Sequence, residues 1–559
     1  MMFSLDFIGH GIWILVPSLV LGIIWQLTLA REPANETEIS QLSLPITWAE
    51  IISLALIIAV AFALRLDGLT FGMPFNFHPD EVPKLNAIEG MRFAGDLNPR
   101  YFLHPSLLLY LTHFGQQLGI WAGLLDDTRQ SLNIAGRSVS LIFGTLTIPA
   151  LWLLARSATK DRSTALLSCA MLAVFPLHVT CSRYLKEDAL VTFWMTFTAA
   201  LVMLVVSKKR SRWLLLMAGF CAGVAASSKY TGLVFFLFVL AAPWLSSRNW
   251  RPDRSLLWPA IFAVACSVTG FLICTPYALL DSQTFIADFL YEQRHMSKGH
   301  MVSISPWAHY WAYHIGRSLI PGIGLVNAVL AIAGAGAALV LVLRDRSRVA
   351  FLILFALVLT YLPAEMVNAK PEPQPDRYLM VCMPWCALLI ALTISRLASH
   401  RYRLIAVGVT LLAVLLPATR SLDLARDLKN DTRTQLAEWI NFNIPAGSRI
   451  AVDLLVYGPA MDESRFKLEA LQGSDILEKI RIGELRRSGY DYLVISSFFR
   501  ERFFRQKDKL GGVRELFRKL DRQLPILHRV NAPSGPYGFH NPALTLYRVT
   551  RGDEEKGVK

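Results

Sequence analysis

Apolar runs of about 14 to 23 residues, separated by polar connections, fill the chain from Phe7 to Pro417. They open at Phe7, Trp48, Ile134, Thr164, Ala189, Trp213, Gly232, Leu256, Ile323, Val349, Tyr378 and Leu404. This predicts roughly twelve membrane-spanning helices. Phe102–Leu125 is apolar as well, but counting it as a crossing inverts every later connection, so it is read as a juxtamembrane or re-entrant helix. After Pro417 the hydropathy falls, and the remaining chain, about 140 residues, is enough for a small core of its own. Thr432–Asn443 carries Leu436, Trp439 and Ile440 at helical spacing, Pro445-Ala446-Gly447 makes a turn, and Ile450–Tyr457, Tyr490–Ile495 and Ala543–Val549 read as strands. The division predicted is an N-terminal membrane anchor and linker over residues 1–46, an all-α polytopic membrane domain over 47–418, and a small α/β domain over 419–559.

Composition agrees with the pattern. Hydrophobic residues make up 53% of the chain and charged residues only 18%, and the mean hydropathy is +0.40. This excludes an ordinary soluble enzyme. The net charge of +14 raises nucleic acid as a partner, but the basic residues sit in every second connection: Arg156, Lys160 and Arg162; Lys208, Lys209, Arg210 and Arg212; Arg248, Arg251 and Arg254; Arg344, Arg346 and Arg348; Arg396, Arg401 and Arg403. Topology accounts for them, with those connections cytoplasmic and the others outside. No nucleic-acid role is assigned. The Phe7 segment lacks a basic flank and a clear cleavage site, so it reads as an uncleaved anchor. All seven cysteines lie in or beside apolar runs, with no disulfide framework or zinc spacing. In the tail no glycine-rich phosphate loop follows a strand, and the basic run Arg500–Arg522 reads as a solvated helix face, the alternative being a contact with acidic lipid or glycan.

Candidate chemistry lies in the outer connections. Phe75-Asn76-Phe77-His78-Pro79-Asp80-Glu81 places an acidic pair on a short loop, with Pro79 and Pro83 limiting its freedom. A carboxylate held beside the bilayer is a candidate general base; the alternative is an ordinary hydrated loop. A second polar cluster, Tyr291–His300, offers Glu292, His295 and His300 as donor or acceptor contacts. The two histidines are five apart without a carboxylate cluster, so no metal site is assigned. The aromatic residues Trp307, Tyr310, Trp311 and Tyr313 fit an interfacial belt.

Four segments in order, His78-Pro79-Asp80-Glu81, Phe102-Leu103-His104-Pro105-Ser106-Leu107, Ala135-Gly136-Arg137 and Ser182-Arg183-Tyr184-Leu185-Lys186-Glu187-Asp188, resemble the GT-C superfamily of polyprenyl-phosphate-dependent glycosyltransferases. The likeness is to the branch of protein O-mannosyltransferases, aminoarabinose transferases and Rgt-type lipopolysaccharide transferases, and it extends to Asp376-Arg377-Tyr378. The resemblance implies a membrane domain of the GT-C type and, as partners, a sugar on a polyprenyl phosphate, the bilayer and an extracytoplasmic acceptor. It implies Asp80 as catalytic base, with Glu81 beside it positioning the acceptor, in an inverting displacement that releases lipid phosphate. Arg183 and Arg377 are implied as phosphate-binding cations, with Lys229 placed similarly. Where the family often has Lys-Pro-Pro, this chain has His104-Pro105-Ser106, so a permanent charge becomes a titratable one, and His104 is left between a phosphate contact and a packed residue. Asp188 matches a second acidic position, its other reading being a helix-start carboxylate. Arg137 is either a donor contact or a snorkelling residue.

These readings predict a multi-pass glycosyltransferase of the plasma (inner) membrane, with its active site and C-terminal domain extracytoplasmic. The alternative is a transporter or lipid-linked glycan flippase, which would favour charges buried mid-span and inverted repeats. No cofactor is predicted; a divalent metal is left open.

Overall fold

The computed structural model describes residues 11–28, 46–91, 95–207, 211–246, 251–298, 311–367, 375–398, 402–461, 464–473, 475–504 and 511–549. His300, Trp307, Tyr310 and the basic residues Lys208, Lys209, Arg210, Arg248 and Arg401 fall outside them. Among the described residues, eight helical stretches are long and apolar enough to cross a membrane: Trp48–Leu66, Arg129–Thr159, Asp188–Ser207, Arg254–Cys274, Leu325–Asp345, Arg348–Met366, Asp376–Leu397 and Arg403–Asn443. Four shorter apolar helices, Trp13–Trp25, Arg162–Val174, Arg212–Ser228 and Tyr230–Leu245, pack among them. This is a multi-pass membrane protein. Its seven cysteines are all free.

The Ile12–Thr28 helix is packed into the bundle. A Cβ at Gly22 would lie 1.9 Å from the Ala333 carbonyl oxygen, and one at Gly336 2.5 Å from that of Leu19, so only glycine permits this approach to the Leu325–Asp345 helix. Phe102–Leu125 forms a 15-residue helix, Leu107–Trp121, outside the set of candidate spans.

The apolar run from Thr164 is broken at its outer end. Phe175 precedes Pro176, which disfavours helical backbone, and it is extended (φ −61°, ψ 119°). The Arg162–Val174 helix therefore stops, a short helix Pro176–Cys181 starts, and residues 182–187 follow as turns before the Asp188–Ser207 helix. That detour carries charged side chains back towards the Asp80 loop.

The tail contains a five-stranded sheet of β1 (Arg449–Val452), β2 (Lys467–Ala470), β3 (Tyr492–Ser496), β4 (Ile526–Val530) and β5 (Leu544–Arg548), in the order β2-β1-β3-β5-β4. β2, β1 and β3 are parallel, whereas β5 runs antiparallel to β3 and β4. Both faces are covered: Leu493, Ile495 and Tyr547 meet Phe499, Phe503 and Phe517, while Ile450, Val452, Val494 and Leu546 meet Leu436 and Ile440. The Arg403–Leu428 helix runs unbroken through the boundary expected at 418/419, and Leu428 still packs with the membrane cluster.

Candidate active site

Asp80 stands at the start of the Glu81–Glu89 helix, where the helix dipole favours an anion, yet its carboxylate makes no capping bond. It is aimed at cations instead. Asp80 Oδ2 accepts from Arg377 Nη1 (2.6 Å) and pairs with Lys186 Nζ (2.8 Å), while Lys84 Nζ donates to the Asp80 carbonyl (3.1 Å). Burial works against its ionisation, but Lys186, Arg377, His78 and Lys84 outweigh it and hold the carboxyl well below the usual carboxylate range. The side chain keeps 31% exposure, so the ionised oxygens remain reachable.

Behind Asp80 lies a second layer. Glu187, almost fully buried, pairs with Lys84 (3.2 Å), Lys186 (3.5 Å) and His104 Nε2 (3.9 Å). Burial alone would push its carboxyl up; His104, Lys186 and Lys84 hold it down. His104 also meets the Tyr101 hydroxyl (Nδ1, 3.3 Å) and Lys186 Nζ (Nε2, 3.4 Å). Burial and the nearby lysines depress the His104 imidazole against the pull of Glu187.

A cavity of about 110 Å³ opens beside these groups. Leu359, Pro363, Val367 and Val381 supply an apolar wall, and His104, Asp188, Lys229, Glu292 and Arg377 supply polar groups. Lys229, just past the end of the Arg212–Ser228 helix, pairs with Asp188 Oδ1 (2.6 Å) and lies 5.3 Å from the Tyr378 ring centroid. Asp188 Oδ2 is buried without a hydrogen-bond partner among the described residues. Lys84, Lys186, Lys229 and Arg377 carry four formal positive charges against three on their ion-pair partners Asp80, Glu187 and Asp188. Glu292 lines the cavity with no ion-pair partner among the described residues, and burial pushes its carboxyl up.

The fold separates the sequence-predicted residues. It brings Asp80, Arg377, Lys229, His104, Asp188 and Glu292 together. His295 is on the same helix as Glu292 and stacks on Tyr291 (6.1 Å), outside the cavity lining. Glu81 turns inward: its fully buried carboxylate accepts from Arg137 Nε (3.0 Å) and Nη2 (2.8 Å), from Asn133 Nδ2 (3.3 Å) and from the Leu185 amide (3.0 Å). Arg137 completes itself on the carbonyls of Leu69 (2.8 Å) and Phe71 (2.9 Å). This bidentate pair fixes the loop from below, and neither member is among the residues that line the cavity. Arg183 also points away: fully buried, it donates from Nη2 to the Leu64 carbonyl (2.6 Å). The residue of that turn which reaches Asp80 is Lys186, three positions later. Sequence reasoning missed Lys186, Lys84 and Glu187 as site residues. Lys186 and Glu187 were visible in the Ser182–Asp188 motif, but which side of a non-helical turn each faces was not. Among the described residues no group of three or more metal-ligating side chains occurs.

Comparison with known proteins gives the same class. A family model for dolichyl-phosphate-mannose-protein mannosyltransferase matches residues 125–291. The undecaprenyl phosphate-α-4-amino-4-deoxy-L-arabinose arabinosyl transferase of Pseudomonas paraeruginosa is 27% identical over 342 residues, 58% of this chain and 57% of that protein. The dolichyl-phosphate-mannose–protein mannosyltransferase 1 of Saccharomyces cerevisiae is 28% identical over 265 residues, 43% of this chain and 30% of that protein. The crystal structure of the Archaeoglobus fulgidus oligosaccharyltransferase, tethered to an acceptor peptide, aligns with a TM-score of 0.52 at 14% identity, covering 91% of this chain and 74% of that one; it bears on the fold alone. Over part of its length the chain is therefore similar to the lipid-phosphate-sugar transferases of the GT-C superfamily. Within it, the sequence similarity is to arabinosyl and mannosyl transferases, and the chain spans 57% of the length of the arabinosyl transferase it matches.

Proposed function

We propose that this protein is an integral-membrane glycosyltransferase that moves one sugar from a polyprenyl-phosphate carrier to an extracytoplasmic acceptor. The observation that carries the reading is the ionised, partly exposed Asp80 carboxylate held by Lys186 and by Arg377, which itself lines a cavity with a cationic end and an apolar wall. That combination suits a lipid phosphate. Its phosphate oxygens would take Arg377 and Lys229, with His104 able to donate a neutral hydrogen bond, and its chain would lie along Leu359, Pro363, Val367 and Val381. The named relatives, which take sugars from undecaprenyl or dolichyl phosphate, support the same donor class.

In the proposed reaction Asp80 accepts the proton of the acceptor hydroxyl as its oxygen bonds to the anomeric carbon. The bond from that carbon to the phosphate oxygen breaks, the electron pair leaves with the lipid phosphate, and the configuration inverts. A carboxylate clamped by two cations is a weak base. A donor phosphate that draws Arg377 towards itself loosens the clamp, so Asp80 gains basicity when the donor is in place. The test is incubation of the purified protein with a panel of polyprenyl-phosphate sugars, with and without candidate acceptors, followed by mass spectrometry of the carrier. Release of free polyprenyl phosphate from at least one donor is expected. An inert panel, with folded protein and a competent acceptor extract, would overturn the reading.

A further inference from the structure

The C-terminal domain meets the membrane domain behind the Asp80 loop. Between β4 and β5 the chain makes a tight turn, with Gly535 and Gly538 at positive φ (72° and 59°) and a bridge between Tyr537 and His540. Phe539 is at its tip. Its ring rests in the domain's own aromatic cluster, 6.4 Å from Tyr457 and 6.3 Å from Phe498. On its other side it meets the membrane domain.

There it lies beside two of the groups that hold Asp80. The Phe539 ring centroid is 4.2 Å from that of His78, edge to face, and 6.0 Å from the Arg377 guanidinium carbon. His78 is fully buried between Phe539 and Tyr184 (4.5 Å), and its Nδ1 accepts the Asp80 backbone N–H (3.2 Å). Arg377 holds the carboxylate itself. The Phe539 backbone is fixed as well: its N–H donates to the Tyr184 hydroxyl (3.2 Å), and its carbonyl accepts from Arg433 Nη2 (2.8 Å). Arg433, fully buried and paired with Asp431, donates from Nη1 to the Phe77 carbonyl (3.0 Å) and covers the Phe77 ring at 3.8 Å. One arginine of the C-terminal domain thus ties the turn to the loop that carries Asp80.

We infer that Phe539 is a positioning residue for sugar transfer: docked through Arg433, it fixes His78 and Arg377 and so sets the place of the Asp80 carboxylate. The C-terminal domain is on this account part of the transfer site. The inference rests on the function proposed above for its kinetic consequence, but the contact has its own readout. A general base displaced by an ångström loses rate, whereas the donor phosphate keeps Lys229 and the charge of an Arg377 that is loosened but still present, so its binding changes far less.

The test compares full-length wild type, Phe539→Ala, Phe539→Leu and Phe517→Ala. The last loosens the same domain's core away from the turn. Backbone hydrogen exchange over residues 76–85 is followed by mass spectrometry, together with kcat and donor KM on whichever donor is turned over. In Phe539→Ala, exchange in that segment and kcat should change by about 10- to 100-fold, faster and slower respectively, with donor KM within about twofold. Phe539→Leu should recover part of both, and Phe517→Ala should leave the segment's exchange as in wild type. Unchanged exchange over 76–85 in Phe539→Ala overturns the inference, as does equal acceleration in Phe517→Ala or an unaltered kcat. Should wild type turn over no donor while exchange rises in Phe539→Ala alone, the functional reading fails and the positioning contact stands.

Discussion

At the scale of single residues, the account turns on which charges face the cavity. Arg377→Ala and Lys229→Ala should each weaken donor binding by about 1.5 to 3 kcal/mol, the range for hydrogen bonds to charged groups. Arg183→Ala should leave donor affinity alone and lower thermal stability, because its guanidinium is buried against Leu64 and away from the cavity lining. Titration of donor lipid, paired with a melting curve for each variant, separates the two outcomes. The pH dependence follows from the depressed Asp80 carboxyl. A group whose pKa is lowered on folding contributes stability above its unfolded value, and that contribution is lost as the pH falls through the folded value. Asp80 is therefore ionised throughout the neutral range, and the acid limb of the wild-type rate profile should lie below the ordinary carboxylate range. Removing the cation in Arg377→Ala raises the Asp80 pKa, so the acid limb should move to higher pH. A limb that stays put, measured on kcat/KM, would separate Asp80 from the rate.

At the scale of elements, the loop is held from beneath by a buried pair, Glu81 and Arg137, both at 0% exposure. Arg137→Ala leaves a buried carboxylate without its partner, which costs about 3 to 5 kcal/mol. The expected outcome is a lower melting temperature or poor recovery of folded protein, with any surviving fraction binding donor normally. Restored stability in the double variant Arg137→Met, Glu81→Leu would identify the pair as structural. The sequence made the loop itself legible, since prolines flanking an acidic pair between apolar runs stand out. It did not reveal that adjacent Asp80 and Glu81 have different partners, one meeting Arg377 and Lys186 and the other Arg137. The first turn of a helix separates neighbours by about 100°, and only the packing of the Arg129–Thr159 helix decides which side is buried. In the sheet, β1, β3 and β5 were visible as apolar runs because both faces are covered. β2 and β4 were not, because edge strands such as Lys467–Ala470 and Ile526–Val530 mix charged with apolar residues.

At the scale of the whole molecule, the Asp80 loop and the C-terminal domain must share one side of the membrane, since Arg433 bonds to Phe77 and Phe539 packs on His78. The function proposed above needs that side to be extracytoplasmic, which is also what the alternating basic connections predict. In a cysteine-free background, single cysteines at Phe75 and at Gly483, where an added side chain meets nothing within 4 Å, should both react with a membrane-impermeant thiol reagent in intact cells, while one at Asp345 should not. Labelling at Asp345 with protection at the other two would invert the orientation and remove the extracytoplasmic acceptor. The contact between the two domains was not legible in the chain: Arg433 and Phe77 are 356 residues apart, and nothing in the local pattern of either marks the other. The alternation of basic connections was legible because it is written segment by segment.

The most direct measurement is turnover and donor binding in Asp80→Asn beside wild type. Asparagine keeps the shape but cannot accept the acceptor's proton, so sugar transfer should fall by about 100- to 10,000-fold, the range for loss of a positioned general base. Donor binding and folding should persist, because Arg377 and Lys229 remain in place to take the phosphate. Near-wild-type transfer by folded Asp80→Asn protein would contradict the account.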